Sequence, residues 1–165
     1  MHENNLEHLN DFVYLNEEWI SKYFSLEEAD LKLASNPGEV IENKGYIFSL
    51  VEENKVVGVC ALFNEGNGVY ELARMAVSPN YQGRGFGNVL MEACISKAQS
   101  IGANKVYLIS NTKLDSAIKL YEKFGFVTIQ KGQHPVYSRA NIIMQLKTHN
   151  NALKRDSAKN AAPLS

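Results

Sequence analysis

The residues with the most evident chemistry lie in one short run, Pro79 to Met91, which reads PNYQGRGFGNVLM. Gly83, Gly85 and Gly87 alternate with other residues, and an apolar helical pattern follows. Glycine admits positive φ and carries no Cβ, so backbone N–H groups can converge on one point. A helix starting near Gly85 would add its unpaired N-terminal amides and the positive end of its dipole. Together these make an anion site suited to phosphate, and Arg84 brings a positive charge to the same place. A tight turn that needs glycine for geometry alone would use the same residues, and on this run alone both readings stand.

Two phosphate motifs can be tested directly. A P-loop needs GxxxxGK[ST], a string this chain lacks. The dinucleotide fingerprint GxGxxG fails at its last glycine from either start, where Asn88 or Leu90 stands instead. His2, His8, His134 and His149 are scattered, so no metal site is expected. Cys60 and Cys94 sit inside apolar patterns without CxxC spacing and read as reduced core residues. The compartment expected from this is the cytoplasm.

These residues need a frame to position them. The chain has 165 residues, about one domain's worth. Its 17 basic and 18 acidic side chains leave a net charge of −1, which argues against nucleic acid or an anionic membrane surface as partner. No long apolar run suggests a membrane span or a signal segment near Met1. After Leu146 the composition turns polar, so a domain over 1–147 and a C-terminal tail over 148–165 are expected.

Phe12 to Leu15 is expected as a short strand. Asn16 then opens a helix carrying Trp19, Ile20, Tyr23 and Phe24, and a second helix runs from Leu26 to the Asn36-Pro37-Gly38 breaker. Tyr46–Val51 and Lys55–Phe63 read as a hairpin, and Val69–Val77 as a further strand. Gly85–Ser100 reads as a helix with Phe86, Val89, Leu90, Ala93, Cys94, Ala98 and Ile101 inward. Lys105–Ser110 is a strand. Leu114–Phe124 is a helix, with Thr112 and Asp115 at capping-box spacing and Gly125 at C′. Phe126–Gln130 and Asn141–Leu146 close the pattern as strands. This order gives a mixed sheet with helices packed on it rather than a doubly wound parallel fold.

Placed in this frame, Gln82–Gly87 is Q-x-x-G-x-G, following the strand YELARMAVSPN and opening an amphipathic helix, with AIKLYEKFGF, Ala117 to Phe126, further on. In this order the two motifs resemble the GNAT superfamily of acyl-CoA-dependent N-acyltransferases. The resemblance covers roughly Phe12 to Leu146 and is strongest from Glu71 to Phe126. LNEEW, Leu15 to Trp19, and YSRAN, Tyr137 to Asn141, are similar to a bacterial subgroup of small members.

The resemblance implies the GNAT fold: mixed α/β (α+β), with a central, mostly antiparallel mixed sheet of about six to seven strands and helices on both faces. It implies acetyl-CoA as co-substrate, a small-molecule or peptide amine as acceptor, and a monomer or homodimer. Gln82, Gly83, Arg84, Gly85, Phe86, Gly87 and Asn88 would bind the coenzyme A pyrophosphate. Met75, Ala76 and Val77 would pair with the pantetheine arm like an added strand, with Ala117 and Phe124 nearby. Tyr121 matches the family tyrosine that gives a proton to the leaving thiolate, whose conjugate acid has a pKa of about 8.5. Glu71 would be the general base for an alkylammonium of pKa about 10.

His134, in the loop GQHP, is a weaker base candidate. Many members carry an asparagine where Leu114 stands here, and Asn111 is the candidate substitute. Trp19, Tyr23 and Phe24 would line either the acceptor pocket or the core, and Glu17 and Glu18 would either attract a cationic amine or simply be solvated. A catalytically silent module that binds acyl-CoA as a sensor is the alternative to an enzyme. The presence of both Tyr121 and Glu71 favours the enzyme.

Overall fold

A computed structural model describes residues 1–147 of the chain. The expected tail, 148–165, lies outside the described residues. The first elements are a two-residue strand β1 (His2–Glu3) and three helices, α1 (Leu9–Tyr23), α2 (Glu28–Ser35) and α3 (Glu39–Glu42). Strands β2 (Tyr46–Glu52), β3 (Lys55–Gly66) and β4 (Val69–Val77) follow. Then come α4 (Phe86–Ser100), β5 (Lys105–Ser110), α5 (Asp115–Lys123), β6 (Phe126–Lys131) and β7 (Ile142–Leu146). The seven strands form one sheet in the order β1-β2-β3-β4-β5-β7-β6. Only β4 and β5 are parallel; every other neighbouring pair is antiparallel. The expected fold class is therefore observed.

The period-2 alternation of the strands feeds two cores, one on each sheet face. Cys60 and Leu62 of β3 point with Phe48 and Leu50 of β2 toward α4, whose Leu90, Met91, Cys94 and Ala98 are buried. Val59 and Ala61 point with Ile47 toward the other face, against Phe12 and Leu15 of α1 and Val40 of α3. Each large aliphatic or aromatic side chain sealed this way contributes about 1.5–3 kcal/mol. Both cysteines are free thiols in the first core.

Three expectations change. Residues 12–15 are not a strand but the second turn of α1. Phe-Val-Tyr-Leu is β-prone locally, yet Phe12, Leu15, Asn16 and Ile20 are buried on one helical stripe, and packing of that stripe on the sheet overrides propensity. In α4 the buried stripe centres on Cys94, so Met91 is buried and Val89, at its edge, is 39% exposed. Thr112 and Asp115 form no capping box, since α5 begins after Leu114 without a side-chain cap. Thr112 instead bonds to Asn141, its N–H donating to Oδ1 at 2.9 Å and its Oγ1 accepting from Nδ2 at 3.0 Å.

Two irregularities in β4 position everything that follows. Against β3, Ala73 faces Ala61 and Ala76 faces Val59, so two residues of β4, Arg74 and Met75, face the single Cys60. This is a β-bulge, and Arg74 adopts φ +59° within it. The extra residue resets the alternation: Leu72 and Val77 pack on the same core although five residues apart. Against β5, pairing covers only Val69–Lys105, Tyr70–Val106 and Glu71–Tyr107. Beyond Glu71 the two strands part, β5 continues beside β7, and the β4 edge from Leu72 to Val77 faces an open wedge.

Candidate active site

Two cavities meet in this wedge. The first is an open groove with the end of β4 and the glycine turn on one bank, and residues 113–117, Leu120 and Tyr121 on the other. The turn runs from a 3-10 segment, Pro79–Tyr81, into α4. Gly83 and Gly85 have φ of +77° and +80°, and a Cβ on either would meet nothing within 4 Å. These two glycines are thus demanded by backbone conformation, and the space beside them is free. Gly87 has a different reason, because a Cβ there would press on Leu120 Cδ2 at 3.3 Å. It lets α4 and α5 approach across the groove floor.

Gly85 is the N-cap of α4 and supplies no side chain, so no side chain caps the helix amides at this end. Gln82 Nε2 donates to Val77 O at 3.1 Å and holds the turn onto β4. Asn88 Oδ1 accepts from Lys123 Nζ at 2.7 Å, tying α4 to α5. The result is a concave surface of glycine backbone and uncapped amides, continuous with the unpaired β4 edge. A phosphorylated, strand-like arm fits such a surface.

Most of the expected donor-binding residues come together here. Met75, Ala76, Val77, Gln82, Gly83, Gly85, Phe86, Gly87, Asn88, Ala117 and Tyr121 all line the groove. Arg84 does not; its guanidinium lies over the Tyr81 ring, 5.0 Å from the centroid. Phe124, at the end of α5, packs on the core instead. Asn111 lines the second cavity, with its amide committed to backbone: Nδ2 donates to Arg139 O at 2.6 Å and Oδ1 accepts from Lys113 N at 2.8 Å.

The second cavity is smaller, about 110 Å³, and lies under α1 and the β6–β7 connection. Trp19 and Phe24 line it together with Glu71, Arg74, Ser110, Tyr137 and Arg139, whereas Tyr23 lines the groove. Glu17 and Glu18 line neither cavity. His134 is turned into its own loop, where Nδ1 accepts from Val136 N and Tyr137 N at 3.1 and 3.2 Å. Trp19, Met75, Leu114 and Tyr121 line both cavities and form the passage between them.

The two candidate catalytic groups are tuned in useful directions. Burial, reinforced by the Glu65 charge and only partly opposed by Arg74, pushes the Glu71 carboxyl up to about 7. It is therefore poised to take a proton near neutrality. Burial also pushes the Tyr121 hydroxyl well above its ordinary value, so it remains a protonated phenol and a donor.

One cluster on the cavity wall was not legible as a site. Asp30 of α2 bridges Arg74 and Arg139, accepting from Arg139 Nη1 and Nη2 at 2.6 and 2.8 Å and from Arg74 Nη1. Glu27 accepts from Arg139 Nη1 at 3.0 Å and from Ser138 N and Oγ at 2.8 Å each. Arg74 Nη2 donates to the Tyr137 hydroxyl at 2.9 Å. Although burial pushes the Asp30 carboxyl up, hydrogen bonds from Arg139, from Glu27 N and from Arg74, with the Arg74 charge, hold it at about 2. The only sequence signal was Arg74 itself, a charge inside the otherwise apolar end of a strand.

The comparisons with known proteins agree with this architecture. Residues 10–126 match the family model described as Acetyltransferase (GNAT) family. The chain is 26% identical over 138 residues to the [Ribosomal protein bS18]-alanine N-acetyltransferase of Haemophilus ducreyi, covering 78% of this chain and 92% of that protein. It is 36% identical over 87 residues to the N-acetylaspartate synthetase of Xenopus tropicalis, but spans only 32% of that protein's length. Among solved structures, a GNAT-family acetyltransferase from Staphylococcus aureus superposes with a TM-score of 0.77 at 18% identity, covering 88% of this chain and 96% of the other. A phosphinothricin acetyltransferase from Sinorhizobium meliloti, solved in complex with AcCoA, superposes with a TM-score of 0.72 at 16% identity, covering 87% and 85%. At such identities the structures speak for the fold.

Proposed function

The chain belongs to the GNAT acetyltransferase family, and from that premise we propose that it transfers the acetyl group of acetyl-CoA to a primary amine by direct attack in a ternary complex. The observation that carries this reading is the meeting of the two cavities at Tyr121. Acetyl-CoA supplies the activated acyl group. The glycine turn and the α4 amides hold its diphosphate, and the free β4 edge at Met75–Val77 orients its arm toward Tyr121. Glu71, on the acceptor side, takes one proton from the ammonium so that the nitrogen lone pair is free. As the nitrogen bonds to the carbonyl carbon and the carbon–sulfur bond breaks, the Tyr121 phenol passes its proton to the sulfur, and the second proton that the nitrogen sheds on becoming an amide restores the phenol through solvent. Holding both partners in one wedge converts a bimolecular encounter into an oriented one.

The protein named from Haemophilus ducreyi acts on a ribosomal protein alanine, which is consistent with an amine acceptor for this chain as well. Among the described residues no helix is long and apolar enough to cross a membrane. Two buried free thiols and a net charge of −1 support a reducing, cytoplasmic setting without nucleic acid as partner. A monomer or homodimer suffices for this chemistry, because one chain carries both cavities.

The test is calorimetric titration of acetyl-CoA into the protein, followed by an amine screen read out by free thiol. Binding with thiol release in the presence of an amine is expected. Binding without release for any amine would return the chain to an acyl-CoA sensor.

A further inference from the structure

Building on this reading of the second cavity as the acceptor site, we infer that its acceptor is a small amine that also bears a carboxylate, such as a free amino acid, held by the paired guanidinium groups of Arg74 and Arg139. Both arginines line the cavity. Their counter-ions Asp30 and Glu27 do not; they sit behind the guanidinium groups, on α2 and the residue before it. Among the described residues the only carboxylate on the cavity wall is Glu71, which the reaction uses as a base.

The donor arithmetic leaves room for a ligand. A guanidinium offers five N–H groups. Among the described residues Arg74 uses two of them, on Asp30 and Tyr137. Arg139 uses three, on Glu27 and Asp30. Their side chains are only 8% and 14% exposed, so a bond that a ligand makes to the remaining N–H groups is shielded from bulk water. The Tyr137 ring is packed by both, with Cζ of Arg74 at 5.5 Å and of Arg139 at 4.7 Å from its centroid, which holds the forks in place. A preorganised pair of planar forks suits a carboxylate, whose two oxygens accept parallel N–H bonds. A polycationic amine would find no unpaired acid on this side of the cavity, because Asp30 and Glu27 are already bonded to the guanidinium groups. The modest cavity, about 110 Å³, fits a small molecule better than a folded protein's lysine side chain with its surroundings.

The wild-type protein tests this without any variant. Initial rates of free-thiol release from acetyl-CoA are compared for alanine and alaninamide, for serine and serinamide, and for spermidine. Amidation lowers the amine pKa and increases the free base, so intrinsic reactivity favours the amides. The expected result is the reverse, with kcat/KM about tenfold or more higher for the acids, the scale of a charge-assisted hydrogen-bond pair.

Amides or spermidine used as well as the acids would overturn the inference and leave the acyltransferase reading intact. No thiol release with any acceptor would overturn both. A second arm uses Arg139→Lys, which keeps the charge and removes the fork, with its fold checked by melting temperature. KM for the acids should rise about tenfold, and by severalfold more than KM for the amides. An equal rise for both acceptor types would overturn the inference.

Discussion

Glu71 and Tyr107 are the last residue pair at which β4 and β5 run side by side. The wedge opens immediately beyond them, so the candidate base stands at its apex, half-buried beside the intact part of the sheet and lining the cavity of the parted strands. Position and proton affinity thus share one cause: the sheet that splits beyond Glu71 also desolvates the carboxylate next to the split.

Glu71 should set the pH dependence of turnover. Its carboxyl is pushed up to about 7, so kcat/KM is expected to rise with pH through that value as the carboxylate forms. In Glu71→Gln this limb should disappear, with the rate lower by about 10²-fold or more. A limb near pH 7 that persists unchanged in Glu71→Gln would assign the base elsewhere.

Tyr121→Phe should lower kcat by about 10²-fold, at the modest end for a proton donor because a thiolate is already a fair leaving group. Acetyl-CoA affinity by calorimetry should be nearly unchanged, since the ring and its packing against Phe126 are kept. An unaltered kcat with a verified acceptor would remove the donor role.

Gly85→Trp should abolish acetyl-CoA binding. The substitution also forces a bulky residue into φ +80°, at a cost of about 1–2 kcal/mol. Gly102→Trp is the matched control, because Gly102 has φ +68° and equally open space but lies at the far end of α4. Both variants should lose comparable melting temperature, and only Gly85→Trp should lose the calorimetric signal. Retained binding in Gly85→Trp would take the diphosphate away from this turn.

Asp30→Asn should destabilise the fold by about 3 kcal/mol, because it strips the shared partner from two largely buried guanidinium groups. The wild type should show the matching acid sensitivity. Asp30 binds its proton less readily folded than unfolded, so its contribution is complete above about pH 4 and is lost as pH falls toward about 2. Thermal melts across that range, in which Asp30→Asn shows a shallower decline, are the check.

Much of the architecture was legible locally. The strands Val69–Val77 and Lys105–Ser110 were read with the bounds they have, because alternation and short apolar runs report on side-chain direction within a few residues. The glycine turn was legible because positive φ is a property of single residues, as Gly83 and Gly85 bear out. The first strand was misread for the same local reason: four β-prone residues outweighed a helical stripe that extends to Ile20.

The wedge, the bulge and the arginine pair are of another kind. Arg74 and Asp30 are 44 residues apart in the chain, and Arg139 and Asp30 are 109 apart. The bulge exists only as a mismatch between Ala73–Ala76 and Val59–Ala61, and the wedge only where β5 leaves β4 for β7. By itself the sequence determined the family, most of the elements and the glycine turn, since these rest on spacing along one segment. Tertiary structure decided the apex at Glu71, the shared wall at Tyr121 and the arginine pair on the wall of the second cavity. Those depend on which strands neighbour one another and on the desolvation that follows, and neither is a property of any one stretch of chain.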